Sequence, residues 1–208
     1  MSKRSSATSQ SASTFELVSH SLEETQALGE QFGRLLKAGD VVAFYGELGS
    51  GKTTMIQGIA RGLGREQETL KSPTFVLMRE YAPGPPSTKA ARPGSDDQRA
   101  GGAGGDPGLV HIDGCRLEGA SAVAWLDVDL IFSPHKITLI EWAERFEGFL
   151  PEDHIKIRLN HVSTNRRRIT VVAHGTHAAS IVAALQPPAT PAPSSAAPSE
   201  SDSDAPVD

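Results

Sequence analysis

The chain has 208 residues, 38% of them hydrophobic and 22% charged, with a formal net charge of −5. That length suits one domain at roughly 100–200 residues each, and no apolar run reaches the ~18 residues of a membrane span. The acidic balance argues against gripping nucleic acid by charge alone, and the single Cys115 excludes a disulfide framework and fits a reducing compartment.

Residues 1–14 are Ser/Thr-rich, with Lys3 and Arg4 but no acid. They read as a disordered extension or, on composition, as a short transit peptide without an amphipathic repeat. They carry no apolar stretch of the secretory kind, so a cytoplasmic chain is expected. Residues 15–18 alternate and predict a short edge strand. Ser21 followed by Glu24 has capping-box spacing and starts a helix. Leu28, Phe32, Leu35 and Leu36 give that helix a core-facing stripe, and Gly39 stops it. Residues 40–45, Asp-Val-Val-Ala-Phe-Tyr, read as a buried strand. After a glycine-rich stretch, residues 52–62 predict a helix carrying Met55, Ile56 and Ile59.

Residues 75–81 predict the next strand. The segment 83–108 holds seven Gly and five Pro and no Leu, Ile, Val or aromatic residue. It cannot bury enough apolar surface to offset its ordering entropy, so it is expected to be a flexible insertion between two strands. Residues 109–113 form a strand ending in Asp113, residues 121–132 are expected to be mostly helical, and 137–140 form a buried strand ending at Glu141. Residues 155–159 and 169–172 alternate as paired, half-exposed strands. Between them, Arg166-Arg167-Arg168 reads as a solvated turn or as a contact for RNA or an acidic partner. A short helix over 178–185 precedes a tail, 186–208, that is rich in Pro, Ser, Ala and acid and lacks any basic residue. The pattern predicts an α/β domain over 15–185 with three layers and a mixed sheet, parallel at its core with antiparallel strands beside it.

Gly46-Glu47-Leu48-Gly49-Ser50-Gly51-Lys52-Thr53 fits G-x-x-x-x-G-K-[ST] in full, between a predicted strand and a predicted helix. Glycines let the backbone curl so that its N–H groups converge on phosphate oxygens, and the helix N-terminus adds its positive end. Lys52 supplies charge for the β- and γ-phosphates and the Thr53 hydroxyl is placed for Mg²⁺. The domain is therefore P-loop NTPase-like. Phosphoryl transfer also needs an acid for metal and water. Glu141 follows the mostly apolar Ile137-Thr138-Leu139-Ile140 in the Walker B manner, and Asp113 ends the neighbouring strand. Arg116 either pairs with Asp113 or reaches the phosphates. Ser72-Pro73-Thr74 is either a γ-phosphate sensor or a turn fixed by Pro73. The seven His are scattered and suggest no metal site, and Cys115 has no evident activating base.

Five ordered blocks resemble the TsaE (YjeE) ATPase family. Gly46 through Thr54 is similar to its G-[DE]-L-G-[AS]-G-K-T-T loop, and Ser72-Pro73-Thr74-Phe75 to its S-P-T-[FY] element. His111-Ile112-Asp113-Gly114-Cys115-Arg116-Leu117 resembles H-x-D-x-x-R-L, and Leu139-Ile140-Glu141-Trp142 resembles [LI]-[VI]-E-W. Leu150-Pro151 follows before a closing strand, and residues 21–29 fit the family's first helix. The resemblance implies an ATPase needed for threonylcarbamoyladenosine at position 37 of tRNAs reading A-starting codons. It would act with TsaD and its partner TsaB, meeting tRNA only through that complex. It implies ATP and Mg²⁺, with Thr53 and Glu141 as metal ligands and residues 49–54 on the phosphates. Asp113 would support hydrolysis, Trp142 would lie beside the metal, and the segment from Ser19 to Ser21 would approach the adenine. Lys52, Asp113 and Glu141 form the expected catalytic set. Gly114-Cys115 stands where the family usually has Leu-Tyr. Two other classes share the phosphate loop: a small-molecule kinase, and a nucleotide-binding regulatory module without turnover.

Overall fold

The computed structural model describes residues 13–65, 70, 72–73, 77–83, 107–117, 120–124 and 126–185. Residues 1–12 of the predicted extension, most of the insertion and the tail lie outside them, as does Thr74. Thr14, the last residue of that extension, instead pairs with Val172 at the start of the first strand, and Gly108, the last of the insertion, pairs with Lys136. Seven strands form one sheet in the order β1 (Thr14–Ser19), β7 (Arg167–His174), β6 (His154–His161), β2 (Val41–Tyr45), β5 (Lys136–Glu141), β4 (Gly108–Asp113) and β3 (Met78–Tyr81). β6, β2, β5 and β4 run parallel; β3 closes one edge antiparallel, and β7 and β1 close the other. The expected mixed sheet is thus present, with its parallel strands in the middle.

The pleat sorts the core. Val42 and Phe44 of β2 and Leu139 of β5 face one layer, formed by α1 (Leu22–Leu35), α2 (Lys52–Gly62) and α5 (Thr176–Ala184). Val41, Ala43 and Tyr45 face the other, with Val123 of α3 (Ala120–Ala124), Ile131 of α4 (Val128–Ile131) and Phe146. Both faces are buried, which is why β2 reads as a continuous apolar run.

α1 begins where the capping spacing placed it: the Glu24 N–H donates to Ser21 Oγ at 3.1 Å, and Glu24 Oε2 accepts from the His20 N–H at 2.6 Å. It ends at Leu35 rather than at Gly39. Gly39 instead takes a left-handed φ of 91° and its N–H donates to Lys136 O at 2.8 Å, turning the chain into β2. α1 and α2 cross on glycines. A Cβ on Gly29 or Gly33 would lie 2.3 or 2.1 Å from the carbonyl oxygens of Met55 and Ile59, and one on Gly58 or Gly62 would lie 2.2 Å from those of Gln26 and Glu30. This close crossing presses α2, which carries the phosphate loop at its head, onto the sheet.

Three expectations shift. The strand predicted over 75–81 starts only at Met78, because Leu77 sits at φ 65°. Residues 74–76 are outside the described set. The helical stretch 121–132 splits into α3 and α4; Asp127 starts the second by accepting from the Leu130 N–H at 3.0 Å. Of the three arginines only Arg166 lies in the hairpin turn, since Arg167 and Arg168 open β7. Among the described residues no helix is long and apolar enough to cross a membrane.

Candidate functional site

The carboxyl ends of β2, β5 and β4 meet at one edge of the sheet, and the chemistry-bearing residues gather there. β2 ends at Tyr45 and α2 begins at Lys52, so residues 46–51 make the whole connection. Gly46, Gly49 and Gly51 all hold positive φ, at 136°, 75° and 104°. A side chain on Gly46 would also meet backbone, its Cβ standing 2.3 Å from Leu159 O. The loop presents its apex to solvent, with Leu48 85% exposed, while Ser50 and Lys52 are buried.

Lys52 Nζ donates to Gly46 O at 2.7 Å and to Glu47 O at 3.0 Å. It also lies 4.2 Å from the centre of the Trp142 ring. Burial lowers the Lys52 pKa from its ordinary value, and the carboxylates of Glu141, Glu144 and Asp113 oppose that shift. The ammonium is held charged on carbonyls, an aromatic face and nearby acids, ready for a more anionic partner. Trp142 reaches it because β5 ends at Glu141 and the next residue adopts a left-handed φ of 56°, swinging the indole over the loop.

Glu141 is only 3% exposed, and both its oxygens are engaged. Thr53 Oγ1 donates to Oε2 at 2.9 Å, and His111 Nε2 lies 3.0 Å from Oε1. Asp113 stands opposite Glu141 in the β4–β5 register. Its Oδ2 accepts from Ser72 Oγ at 2.5 Å and its Oδ1 from the Cys115 N–H at 2.9 Å. The Ser72-Pro73 element therefore closes onto Asp113. Leu77 seals that connection: its strained backbone donates N–H to Pro73 O at 2.7 Å and accepts from the Asp113 N–H at 2.9 Å. Gly114 packs tightly there, for a Cβ would lie 3.0 Å from Trp142 O and 3.1 Å from the Phe146 ring.

The geometry fits a nucleotide and its metal. Ser50 Oγ is buried in the curl without a hydrogen-bond partner among the described residues. An orphaned hydroxyl within a glycine loop at a helix N-terminus suits a phosphate oxygen. Thr53 Oγ1 beside the Glu141 carboxylate is an all-oxygen set of the hard kind that magnesium takes.

Of the residues expected from sequence, Lys52, Thr53 and Glu141 are brought into one cluster, with Asp113 on the adjacent strand. Arg116 is the exposed last residue of the turn Gly114–Arg116. The Ser19 and Ser21 hydroxyls are engaged at the start of α1, Ser19 with Thr25 Oγ1 at 2.9 Å and Ser21 as the cap. His111 is expected from sequence only as the first residue of the block His111–Leu117, with no role of its own, yet it lies against Glu141. The available signal was its place two residues before Asp113, on the same strand face, in an otherwise apolar run.

The sequence model of the family described as threonylcarbamoyl adenosine biosynthesis protein TsaE matches residues 19–169. The chain is 34% identical over 153 residues to the tRNA threonylcarbamoyladenosine biosynthesis protein TsaE of Streptomyces coelicolor, covering 71% of this chain and 89% of the relative. It is 33% identical to that of Treponema pallidum over 157 residues, covering 74% and 97%. The crystal structure of Bacillus subtilis YdiB superposes with a TM-score of 0.60 at 26% identity, covering 83% of this chain and 94% of that one. Matched over most of its described length by the family model, and a third identical to several curated members, this P-loop chain belongs to the TsaE family of tRNA threonylcarbamoyladenosine biosynthesis.

Proposed function

We propose that the chain is a magnesium-dependent ATPase, cytoplasmic, that serves threonylcarbamoylation of adenosine 37 in tRNAs reading A-starting codons. The carrying observation is the Thr53–Glu141 hydrogen bond of 2.9 Å at the head of a phosphate loop, which joins a metal-binding hydroxyl to a buried strand-end carboxylate. Thr53 and Glu141 would hold a magnesium ion, which would offset charge on the β- and γ-phosphates.

The chain's own residues have separable tasks. Backbone N–H groups of residues 46–54 hold the phosphates. Lys52 moves its ammonium from the Gly46 and Glu47 carbonyls towards the phosphate charge. Thr53 keeps its proton on Glu141 Oε2 and so turns its lone pairs outward. Glu141, fixed at both oxygens, presents a carboxylate that does not have to reorganise. Asp113 acts from the neighbouring strand, held by Ser72 and by the Cys115 N–H.

Partners belong to this reading as well. The family resemblance supports action with TsaD and TsaB, with tRNA met through that complex. Slow turnover alone fits a site whose loop apex, at Leu48, is exposed for completion by another protein. The ATPase unit of this reading spans residues 15–185.

Phosphate release from ATP, with and without the TsaB–TsaD pair, tests the proposal in the wild type, Lys52→Ala and Glu141→Ala. Hydrolysis should rise with the partners and collapse in both variants. Phosphate appearing on an added metabolite would identify a kinase. Unimpaired function of Glu141→Ala in a TsaE-depleted cell would identify a regulatory module without turnover.

A further inference from the structure

His111 is fully buried in β4, one strand away from Glu141. Its register partner on β5 is Leu139, so Glu141 is its diagonal neighbour on the same sheet face. Residues 109, 111 and 113 share that face by the two-residue period of a strand. Leu109 there joins the apolar core, while Asp113 reaches the site. A histidine between them costs burial, so its polar contact carries its meaning.

That contact is 3.0 Å from His111 Nε2 to Glu141 Oε1. An ionised carboxylate only accepts, so the ring donates through Nε2. Nδ1 is buried with no hydrogen-bond partner among the described residues, which suits a bare lone pair far better than an orphaned N–H. The imidazole therefore makes one directed bond, and it makes it to the carboxylate.

The terminal torsion of a glutamate is soft and roughly two-fold. The Thr53 bond on Oε2 alone leaves the carboxylate plane free to turn about that contact. A second donor on Oε1, from a ring locked in the core, fixes the plane. We infer that His111 is a positioning residue that holds the Glu141 carboxylate in the orientation that receives the divalent metal. This rests on the reading of Thr53 and Glu141 as the metal pair.

The test follows nucleotide affinity as magnesium is titrated, using a fluorescent ADP analogue with the full-length chain. Wild type, His111→Ala, His111→Leu and His111→Gln are compared, the last keeping an amide donor. Outer partners of metal ligands typically carry about ten- to a hundredfold in metal affinity. The magnesium midpoint should rise by about that factor in the Ala and Leu variants. His111→Gln should recover most of it, and metal-free ADP affinity should stay near wild type in all three. Leu fills the cavity, so the Leu and Gln pair decides the matter if the Ala variant does not fold. A wild-type midpoint in His111→Leu, with any loss confined to thermal stability, would reduce His111 to a core residue and overturn the inference. Magnesium-independent binding in the wild type itself would overturn the metal-pair reading, and this inference with it.

Discussion

Lys52 Nζ and the Trp142 indole stand 4.2 Å apart, an ammonium over an aromatic face at the mouth of the phosphate loop. Such a contact is worth about 0.5–2 kcal/mol depending on desolvation, well below the attraction of a polyphosphate. Nucleotide should therefore draw the ammonium off the ring and change the indole's surroundings. In a Trp125→Phe background, which leaves Trp142 as the sole tryptophan of the two, ADP should produce a saturable change in emission. Lys52→Ala should start from a shifted baseline and lose most of that change. An unaltered spectrum at saturating nucleotide would mean that Lys52 keeps its contact with the ring.

The Thr53 hydroxyl is engaged on Glu141 at 2.9 Å, so its donor and its shape can be separated. Thr53→Ser keeps the donor, and Thr53→Val keeps the branched shape without it. A hydrogen bond to a charged acceptor carries about 1.5–3 kcal/mol. Phosphate release at saturating ATP, with partner proteins present, should fall about ten- to a hundredfold in Thr53→Val. Thr53→Ser should retain most of the rate. A loss in Thr53→Ser with a near wild-type rate in Thr53→Val would assign the role to the methyl group and not to the hydroxyl.

Much of the site was legible because its determinants are local. The phosphate loop lies within nine consecutive residues, and Glu141 and Asp113 each follow a mostly apolar run of strand length. Helix α2 was found at its observed limits for the same reason, between the loop and Gly62. What escaped depends on residues distant in sequence. The backbone turns at Leu77 and Trp142 are held at positive φ by contacts across the sheet, and neither residue type advertises that conformation. His111 gains its role from Glu141, thirty residues later. Gly29, Gly33, Gly58 and Gly62 read as helix weaknesses by propensity. Only the crossing of α1 on α2 shows that a side chain at any of them would strike backbone.

That crossing gives a stability prediction. A Cβ on Gly33 would lie 2.1 Å from Ile59 O, and no rotamer relieves a clash with main chain. The helices must separate, undoing part of the interdigitation between them. Overpacking of this kind costs on the order of 1–3 kcal/mol, and it outweighs the gain of up to about 1 kcal/mol from replacing a helical glycine with alanine. Gly33→Ala should lower the urea midpoint at an unchanged slope. Gly148→Ala is the control, because nothing lies within 4 Å of a Cβ built there. A Gly33→Ala midpoint at or above wild type would show that the two helices part without loss.

A pair of histidines lies at the end of the sheet away from the phosphate loop. His154 and His174 stack with ring centres 4.4 Å apart and planes 7° from parallel. His154 Nδ1 donates to Pro151 O at 2.7 Å. Burial lowers the His154 pKa from its ordinary value, with His174 and Lys156 adding to the shift and the Pro151 carbonyl and Asp153 opposing it. The folded state thus binds a proton at this residue less readily than the unfolded chain. Its contribution is present in full above the unfolded value of about 6.5 and is lost as pH falls through the lowered folded value. His154→Phe keeps an aromatic stack, removes the titration and forfeits the Pro151 bond, worth about 1 kcal/mol at every pH. Thermal unfolding followed from pH 7.5 to pH 5 should give the variant a lower midpoint near neutrality but a shallower decline towards acid. Parallel declines would place the acid sensitivity at other groups.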